Sequence, residues 1–195
     1  MKLDKSFYER DARIVARELL GKYLVYEPQG RRFCGKIVET EAYLGVEDMA
    51  SHAFRGRTKR TEVMFGEGGR LYVYFTYGMH WLMNVVTGKE GTAEAVLLRA
   101  MEPVEGSDQM IANRGGKGLR LLTSGPARLT QALGIDGSLN REDLCGDLVW
   151  IEDRGDVVEP SQIVVTKRIG VAYAKDWKDR ELRFYLSGSP FVSRV

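Results

Sequence analysis

The first periodic segment of the chain lies near its N-terminus and has helical spacing. Between residues 11 and 20, Ile14, Val15 and Leu19 recur so that they share one side of a helix. Asp11 can cap the first free N–H groups of such a helix, and Gly21 can end it. The pattern therefore predicts a helix over residues 11–20.

Most of the remaining hydrophobic segments have the alternation or the β-branched and aromatic content of strands. The predicted strands cover residues 22–27, 33–43, 70–77, 80–87, 94–101, 148–152, 162–165 and 182–186. Two more helices are predicted over residues 104–113 and 126–133, and Gly134 is a suitable stop for the second. Strands that follow one another directly favour an antiparallel sheet, so we predict one α+β domain over residues 1–195.

Composition and hydropathy exclude several classes of protein. The chain has 195 residues, of which 44% are hydrophobic and 29% charged, as in ordinary globular proteins. No apolar run approaches the roughly 20 residues that span a bilayer, and residues 1–10 lack the apolar centre of a signal peptide. We therefore expect a cytoplasmic protein with no membrane partner.

Cysteine and histidine are too scarce to suggest a metal centre. Cys34 and Cys145 lie far apart in the sequence, and His52 and His80 are the only histidines. A zinc site would need nearly all four of these residues, and their spacing fits no known ligand pattern. We expect two reduced structural thiols and neither a metal nor another cofactor.

Two carboxylates on one predicted strand are candidates for chemistry. Alternate residues of a strand share a face, so Glu39, Glu41 and Tyr43 are expected to point the same way as Ile37. The pattern alone favours an edge strand with a solvated acidic face. The alternative is a general base beside an aromatic surface, since a carboxylate can deprotonate a water that attacks an anomeric carbon.

An aromatic hairpin is predicted over residues 71–87. Tyr72, Tyr74 and Thr76 share one face of its first strand, while Tyr77 falls at a Tyr-Gly turn. A core hairpin explains Tyr72 but not Tyr77, because a hairpin tip cannot bury an aromatic ring. Tyr77 is therefore a candidate wedge between stacked bases, and Tyr74 a stacking surface for an extruded base.

Arg99 lies within an apolar run, so we expect at least half of its side chain to be buried. A buried guanidinium needs an anionic or carbonyl partner. Glu102, three residues further along the chain, is the candidate partner if Arg99 is only structural. Glu41 is the candidate partner if Arg99 belongs to a functional site. His52 and Asn84 carry no distinctive signal of their own.

The distribution of positive charge is more informative than the formal net charge of +2. One cluster lies between residues 55 and 60, and a second lies in the glycine-rich segment between residues 114 and 120. Their members are Arg55, Arg57, Lys59 and Arg60 in the first cluster, and Arg114, Lys117 and Arg120 in the second. Each cluster fits a solvated loop, and together they can neutralise a modest number of phosphates.

Taken in order, these segments resemble the alkyladenine (3-methyladenine) DNA glycosylase family. The resemblance is carried by GKIVETEAYLG, LYVYFTYGMHWLMNV, AVLLRAMEP, LTSGPARLTQALGI, RIGV and LRFYLSGSPFVS, and it covers nearly the whole chain. It implies a curved antiparallel sheet resembling an open barrel, similar to the formyltransferase C-terminal domain, with helices outside. The implied partner is double-stranded DNA containing damaged purines, bound by a nucleoid-associated monomer.

The resemblance also implies roles for the residues of the reaction. Glu41 matches the carboxylate that activates the attacking water, and Arg99 matches the arginine that helps to hold this water. Ile169 matches a residue whose backbone carbonyl completes the water site. Glu39 matches a neighbouring acidic position without a catalytic role.

A second set of matched residues would hold the flipped base. Tyr43, His52 and Tyr74 match the walls of its pocket, and Asn84 matches the amide that discriminates against a purine 2-amino group. Tyr77 matches the tyrosine that fills the gap left in the duplex.

The chain departs from the family pattern where His80 and Trp81 follow the hairpin tip. This departure affects the expected lesion preference rather than the reaction.

Two alternative functions remain at this point. A non-catalytic nucleic-acid-binding module of the same barrel type would not need Glu41 beside Arg99. A glycosylase of the helix-hairpin-helix type would need more helices and an aspartate-bearing Gly-hairpin motif. The resemblance implies a glycosylase that removes alkylated or deaminated purines, among them 3-methyladenine, 7-methylguanine, hypoxanthine and ethenoadenine. The lack of a suitable lysine nucleophile in these motifs favours a monofunctional enzyme.

Overall fold

An eight-stranded antiparallel sheet forms the frame of the protein in the computed structural model, which describes residues 1–194. The strands are β1 Tyr23–Tyr26, β2 Phe33–Leu44, β3 Leu71–Thr76, β4 His80–Thr87, β5 Glu94–Glu105, β6 Val149–Glu152, β7 Ile163–Thr166 and β8 Arg183–Leu186. The helices are α1 Lys5–Tyr8, α2 Ala12–Glu18, α3 Ser107–Asn113 and α4 Pro126–Leu133. The predicted α+β class and the curved, open antiparallel sheet are confirmed.

The long strands β2 and β5 form the centre of the sheet. The main path runs β3-β4-β5-β2-β1-β6, and β8 pairs with both β2 and β7. The helices pack on one face of the sheet, where the main hydrophobic core combines apolar residues of α2, such as Val15, with strand residues such as Ile37 and Leu98. The other face of β2, β3, β4 and β5 is therefore left for polar and aromatic side chains.

Local signals position the helices as expected. The Asp11 carboxylate caps α2 by accepting the Arg13 N–H at 2.8 Å, and the Thr40 hydroxyl of β2 donates to the Ala16 carbonyl at 2.8 Å. Helix α4 begins with Pro126 and ends at Gly134, whose φ of 69° permits the left-handed C-terminal cap.

The predicted start of the helix at residue 104 is wrong. Strand β5 continues to Glu105, where Pro103 pairs with Gly35 and Glu105 with Cys34. Pro103 is tolerated because β4 pairs only with the first residues of β5, so the other edge of β5 forms no strand ladder at this point. Gly106 then adopts a φ of 80°, and α3 begins after it. The short helix α1 had no counterpart in the sequence prediction.

A bulge in β2 sets which residues face the site. The pairing of β2 with β5 shifts between Ile37 and Thr40. Ile37 consequently packs in the main core with Ala42, while Glu39, on the other face, contacts Arg99. The prediction that Ile37 shares the face of the carboxylates is therefore wrong, because a bulge offsets the two-residue alternation by one position.

None of the helices among residues 1–194 combines the length and the apolar character that crossing a membrane requires.

Candidate active site

A single row across five strands brings the site together. Directly paired positions run from Tyr72 on β3 to Asn84 on β4, Leu97 on β5, Glu41 on β2 and Arg183 on β8. These residues are far apart in the sequence, yet paired positions of neighbouring strands lie about 4.5–5.5 Å apart. The sheet thus fixes these five side chains relative to one another.

Glu41 is a fully buried carboxylate surrounded by donors. Its Oε1 accepts the Ile169 backbone N–H at 2.7 Å, and its Oε2 accepts the Tyr43 hydroxyl at 2.9 Å. Nη1 of Arg99 lies 3.2 Å from Oε2. The interpretation of this strand as a solvated acidic edge is therefore wrong, because β5, β8 and the segment that holds Ile169 cover it.

Burial, reinforced by the charge of Glu41, raises the pKa of the Tyr43 hydroxyl well above its ordinary value. This hydroxyl therefore stays protonated at neutral pH and donates to Glu41.

Glu39 lies beside Glu41 and binds a second set of donors. Its Oε1 accepts from Nε of Arg99 at 3.0 Å, Nε of Arg183 at 2.7 Å and the Ser193 hydroxyl at 2.8 Å. Its Oε2 accepts the Ser193 backbone N–H at 2.6 Å. Arg99 is 6% exposed and bridges both carboxylates, so both predicted features of this residue, burial and an anionic partner, are present. The local candidate partner, Glu102, is instead exposed.

An open cavity of about 260 Å³ lies in front of these carboxylates. This volume is close to the lower end of ordinary small-molecule pockets, roughly 300–1,000 Å³. Its lining includes every remaining candidate of the sequence analysis: Tyr43, His52, Tyr74, Tyr77, Asn84 and Ile169, together with Arg99. Glu41 contacts the cavity through Tyr43, Arg99 and Ile169, each of which both lines it and binds the carboxylate.

His52 is held at the cavity wall by two tyrosines. Ser51 caps the short 3₁₀ turn His52–Arg55, and Nδ1 of His52 lies 2.9 Å from the Tyr72 hydroxyl. The His52 ring meets Tyr74 edge to face, with centroids 4.5 Å apart. Burial, and secondarily the positive charge of Arg60, lowers the pKa of His52 to about 4. The cavity wall is therefore uncharged at this position at neutral pH.

Asn84 lines the cavity and is 4% exposed. Its Nδ2 donates to the Tyr72 carbonyl at 3.1 Å, which fixes the orientation of the amide. The departures from the family pattern lie elsewhere: neither His80 nor Trp81 is a lining residue among residues 1–194. Trp81 packs against the main core and contacts the Phe75 ring at 4.8 Å.

Tyr77 lies at the tip of the β3–β4 hairpin and is 84% exposed. The Met79 N–H donates to the Thr76 carbonyl at 3.2 Å, and Tyr77 and Gly78 have φ values of 52° and 67°. Both φ values lie in the left-handed region, which turns at hairpin tips commonly use. A left-handed conformation costs a tyrosine on the order of 1 kcal/mol, so this ring is presented to solvent at the expense of some stability.

Four residues that sequence reasoning missed hold the site in place. Arg168 and Asp48 form a fully buried pair with two hydrogen bonds of 2.5 and 2.9 Å, and Arg168 also donates to the Ala42 carbonyl at 2.9 Å. Arg183 and Ser193 bind Glu39 as described above. All four fall within or beside the motifs that carry the family resemblance. Their place in these motifs was the only sequence feature that could have pointed to them. Burial and pairing of the two arginines depend on the tertiary structure.

The first basic cluster lies on the surface beside the cavity. Arg55 and Arg60 line a recess that adjoins the cavity through His52 and Tyr173. Within residues 1–194, no ion pair involves Arg55, Arg57, Lys59, Arg60, Lys117 or Arg120, and all six are exposed. Arg114 instead hydrogen-bonds to the Gln131 side chain.

Over the same described residues, no group of three or more His, Cys, Asp or Glu side chains is arranged to hold a metal ion. Cys34 is buried and Cys145 exposed, and both are free thiols.

Comparison with known proteins gives a consistent result. Residues 6–190 match the family described as methylpurine-DNA glycosylase. A protein of Carboxydothermus hydrogenoformans is 54% identical over 194 residues, which cover 100% of both chains. A protein of Desulfitobacterium hafniense is 49% identical, and the match covers 98% of both chains. A protein of Legionella pneumophila (strain Lens) is 46% identical, and the match covers 100% of this chain and 99% of the relative.

Each of these three relatives carries the name "Putative 3-methyladenine DNA glycosylase". The family match covers more than nine-tenths of the chain, and the relatives match it from end to end. The residues to which the resemblance assigned a role all lie on or directly behind one cavity. The chain therefore belongs to the methylpurine-DNA glycosylase family.

Proposed function

We propose that this protein flips an alkylated or deaminated purine out of duplex DNA into the cavity and hydrolyses its N-glycosidic bond. The observation that carries the proposal is the buried pair of Glu41 and Arg99 directly behind a cavity with aromatic walls. The candidate bases are 3-methyladenine, 7-methylguanine, hypoxanthine and ethenoadenine. The product is an abasic site in an intact backbone.

In this mechanism Glu41 accepts a proton from water as the water attacks the anomeric carbon of the sugar. The glycosidic bond breaks through an oxocarbenium-like state, which a nearby carboxylate stabilises. A cationic alkylated purine leaves as the neutral base, whereas a neutral purine such as hypoxanthine must take up a proton as it leaves. Oε1 of Glu41 accepts only the Ile169 N–H among the described contacts, so it keeps a lone pair for the water. Arg99 orients the carboxylate and the water, and the Ile169 carbonyl is proposed to complete the water site.

The base is proposed to stack between Tyr43 on one side and His52 with Tyr74 on the other. An uncharged His52 suits this role because its ring packs without adding a further positive charge. The Asn84 amide is proposed to discriminate against a purine 2-amino group. No lysine lines the cavity among residues 1–194, so a Schiff-base step is not part of the proposal and the enzyme is proposed to be monofunctional.

The decisive test uses duplex oligonucleotides that each carry one defined lesion, incubated with the protein and then treated with alkali. Cleavage at the lesion shows base release and supports the proposal. Binding without strand cleavage after alkali would instead identify a nucleic-acid-binding module. Cleavage before alkali treatment would contradict the monofunctional mechanism.

Tyr77→Ser is expected to weaken the flipped complex by about 5- to 150-fold, since stacking of a base on an aromatic ring contributes about 1–3 kcal/mol. The ring is exposed without DNA, so the melting temperature should stay close to that of the wild type. The measurement is single-turnover base release on a paired lesion and on the same lesion in a loop, where extrusion costs less. The defect should shrink on the loop.

Tyr77→Phe is the matched control, because it keeps the ring and the backbone conformation and should behave like the wild type. Equal losses of Tyr77→Ser on both substrates, or a large drop in its melting temperature, would refute the role of Tyr77 as a wedge.

Binding to undamaged DNA is expected to be weak and sensitive to salt, because the exposed cations of the two basic clusters are free to contact phosphates. Each phosphate contact contributes about 0.9 to the slope of log K against log salt. Lys59→Gln should lower this slope, whereas Lys2→Gln should not, since Lys2 is engaged with Asp147 at 2.5 Å. A binding constant that does not vary with salt would contradict the proposed phosphate contacts.

A further inference from the structure

The two tyrosines proposed to stack on the base, Tyr43 and Tyr74, each have an arginine guanidinium next to the aromatic ring. Cζ of Arg168 lies 4.7 Å from the ring centroid of Tyr43, and Cζ of Arg60 lies 5.1 Å from that of Tyr74. Both distances fall within the roughly 6 Å over which a cation interacts with a π face. Each tyrosine ring thus already interacts with one guanidinium before any base enters.

The two guanidiniums differ in how their charge is balanced. Arg168 is paired with Asp48, and both side chains are fully buried. Arg60 is exposed and makes no ion pair with any residue between 1 and 194. Only Arg60 therefore adds an uncompensated positive charge next to an aromatic wall.

The remaining charges around the cavity do not offset Arg60. The buried carboxylates Glu39 and Glu41 are matched by the guanidiniums of Arg99 and Arg183. No aspartate or glutamate lines the cavity itself in the described part of the chain. A base that stacks on Tyr74 therefore meets a positive electrostatic environment from the side of Arg60.

We propose that Arg60 is a specificity residue of the base cavity that disfavours a cationic purine relative to a neutral purine of the same shape. The inference rests on the proposed function, in which the cavity receives the flipped base. A base stacked on Tyr74 would lie within roughly 10 Å of the Arg60 charge, close to the Debye length at physiological salt. The repulsion is therefore only partly screened.

The protonation of His52 responds to the same field. After burial, the charge of Arg60 is the second factor that lowers the pKa of this ring, which lies in the same wall. A positive charge on a base in the cavity would be repelled by Arg60 in the same direction as a proton on His52.

The test compares two bases of the same shape that differ in charge, 3-methyladenine and its neutral isostere 3-methyl-3-deazaadenine. Both are placed in the same duplex with a 2′-fluoroarabino sugar, which slows hydrolysis so that dissociation constants can be measured. Arg60→Gln is expected to raise the affinity for the cationic base relative to the neutral one by about 2- to 5-fold at low salt. The change should fade as salt is raised.

Two control variants separate charge from other roles of the side chain. Arg60→Lys keeps the charge and should keep the wild-type ratio of affinities. Arg55→Gln removes a cation from the same recess but not from the Tyr74 ring, so it should weaken both complexes equally. An equal loss for both bases in Arg60→Gln would show that Arg60 only contacts phosphate, and the inference would be wrong.

The outcome also separates this inference from the proposed function. If the wild type releases hypoxanthine from duplex DNA but Arg60→Gln leaves the ratio unchanged, only the role of Arg60 is refuted. If the wild type releases no damaged base at all, the proposed function itself fails.

Discussion

Glu41→Gln is expected to slow base release by about 10²- to 10⁴-fold, the usual contribution of a general base. The amide cannot accept a proton from the attacking water, and it stabilises an oxocarbenium-like state less than a carboxylate does. Binding to a lesion duplex should persist, because Tyr43, Tyr74 and Tyr77 are unchanged. Single-turnover release of hypoxanthine, measured together with the dissociation constant, separates the two effects.

Glu94→Gln is a suitable control for loss of a partly buried carboxylate. Glu94 accepts the Ala12 N–H at 2.8 Å and does not line the cavity, so its replacement should reduce stability without slowing base release. If Glu41→Gln released hypoxanthine at nearly the wild-type rate, Glu41 would not be the general base.

Glu39→Gln is expected to lower the free energy of unfolding by about 3–5 kcal/mol, the usual cost of breaking a buried ion pair from one side. Every described contact of Glu39 comes from a donor, on Arg99, Arg183 or Ser193. Either orientation of the glutamine amide would place its NH₂ group against one of these donors. Denaturation by urea, followed by a far-ultraviolet signal, measures the loss.

Base release by the folded fraction of Glu39→Gln should also fall, because Arg99 loses one of the two carboxylates that orient it. The comparison with Glu41→Gln is informative, since that variant should lose mainly rate, whereas Glu39→Gln should lose mainly stability. An unfolding free energy within about 0.5 kcal/mol of the wild type would contradict the view that Glu39 holds these donors together.

The sequence determined the class of the fold and most of its elements. Alternation and strand-type residues located the eight strands, and Asp11, Pro126 and Gly134 marked helix ends through local hydrogen bonding and backbone preference. The sequence predicted the ends of the elements less accurately than their type. The strand β5 ran past the predicted helix start at residue 104 because pairing with β2 outweighed the local pattern.

The sequence also pointed to the candidate residues, chiefly through the family resemblance. Periodicity alone favoured a solvated edge for Glu39 and Glu41 and a local partner for Arg99. The first interpretation was wrong because a two-residue repeat does not tell whether another element covers a face of the strand. The second was wrong because positions 99 and 102 of one strand point to opposite faces.

Only the tertiary structure decided how these residues act together. The row from Tyr72 to Arg183 exists because β3, β4, β5, β2 and β8 pair in one register, and the bulge in β2 determines that Glu39 and Glu41 face Arg99. The Arg168–Asp48 pair and the guanidinium of Arg60 on Tyr74 join segments that no local pattern connects. Local preference acts over a few residues, whereas the burial and pairing of a charge depend on contacts made across the whole chain.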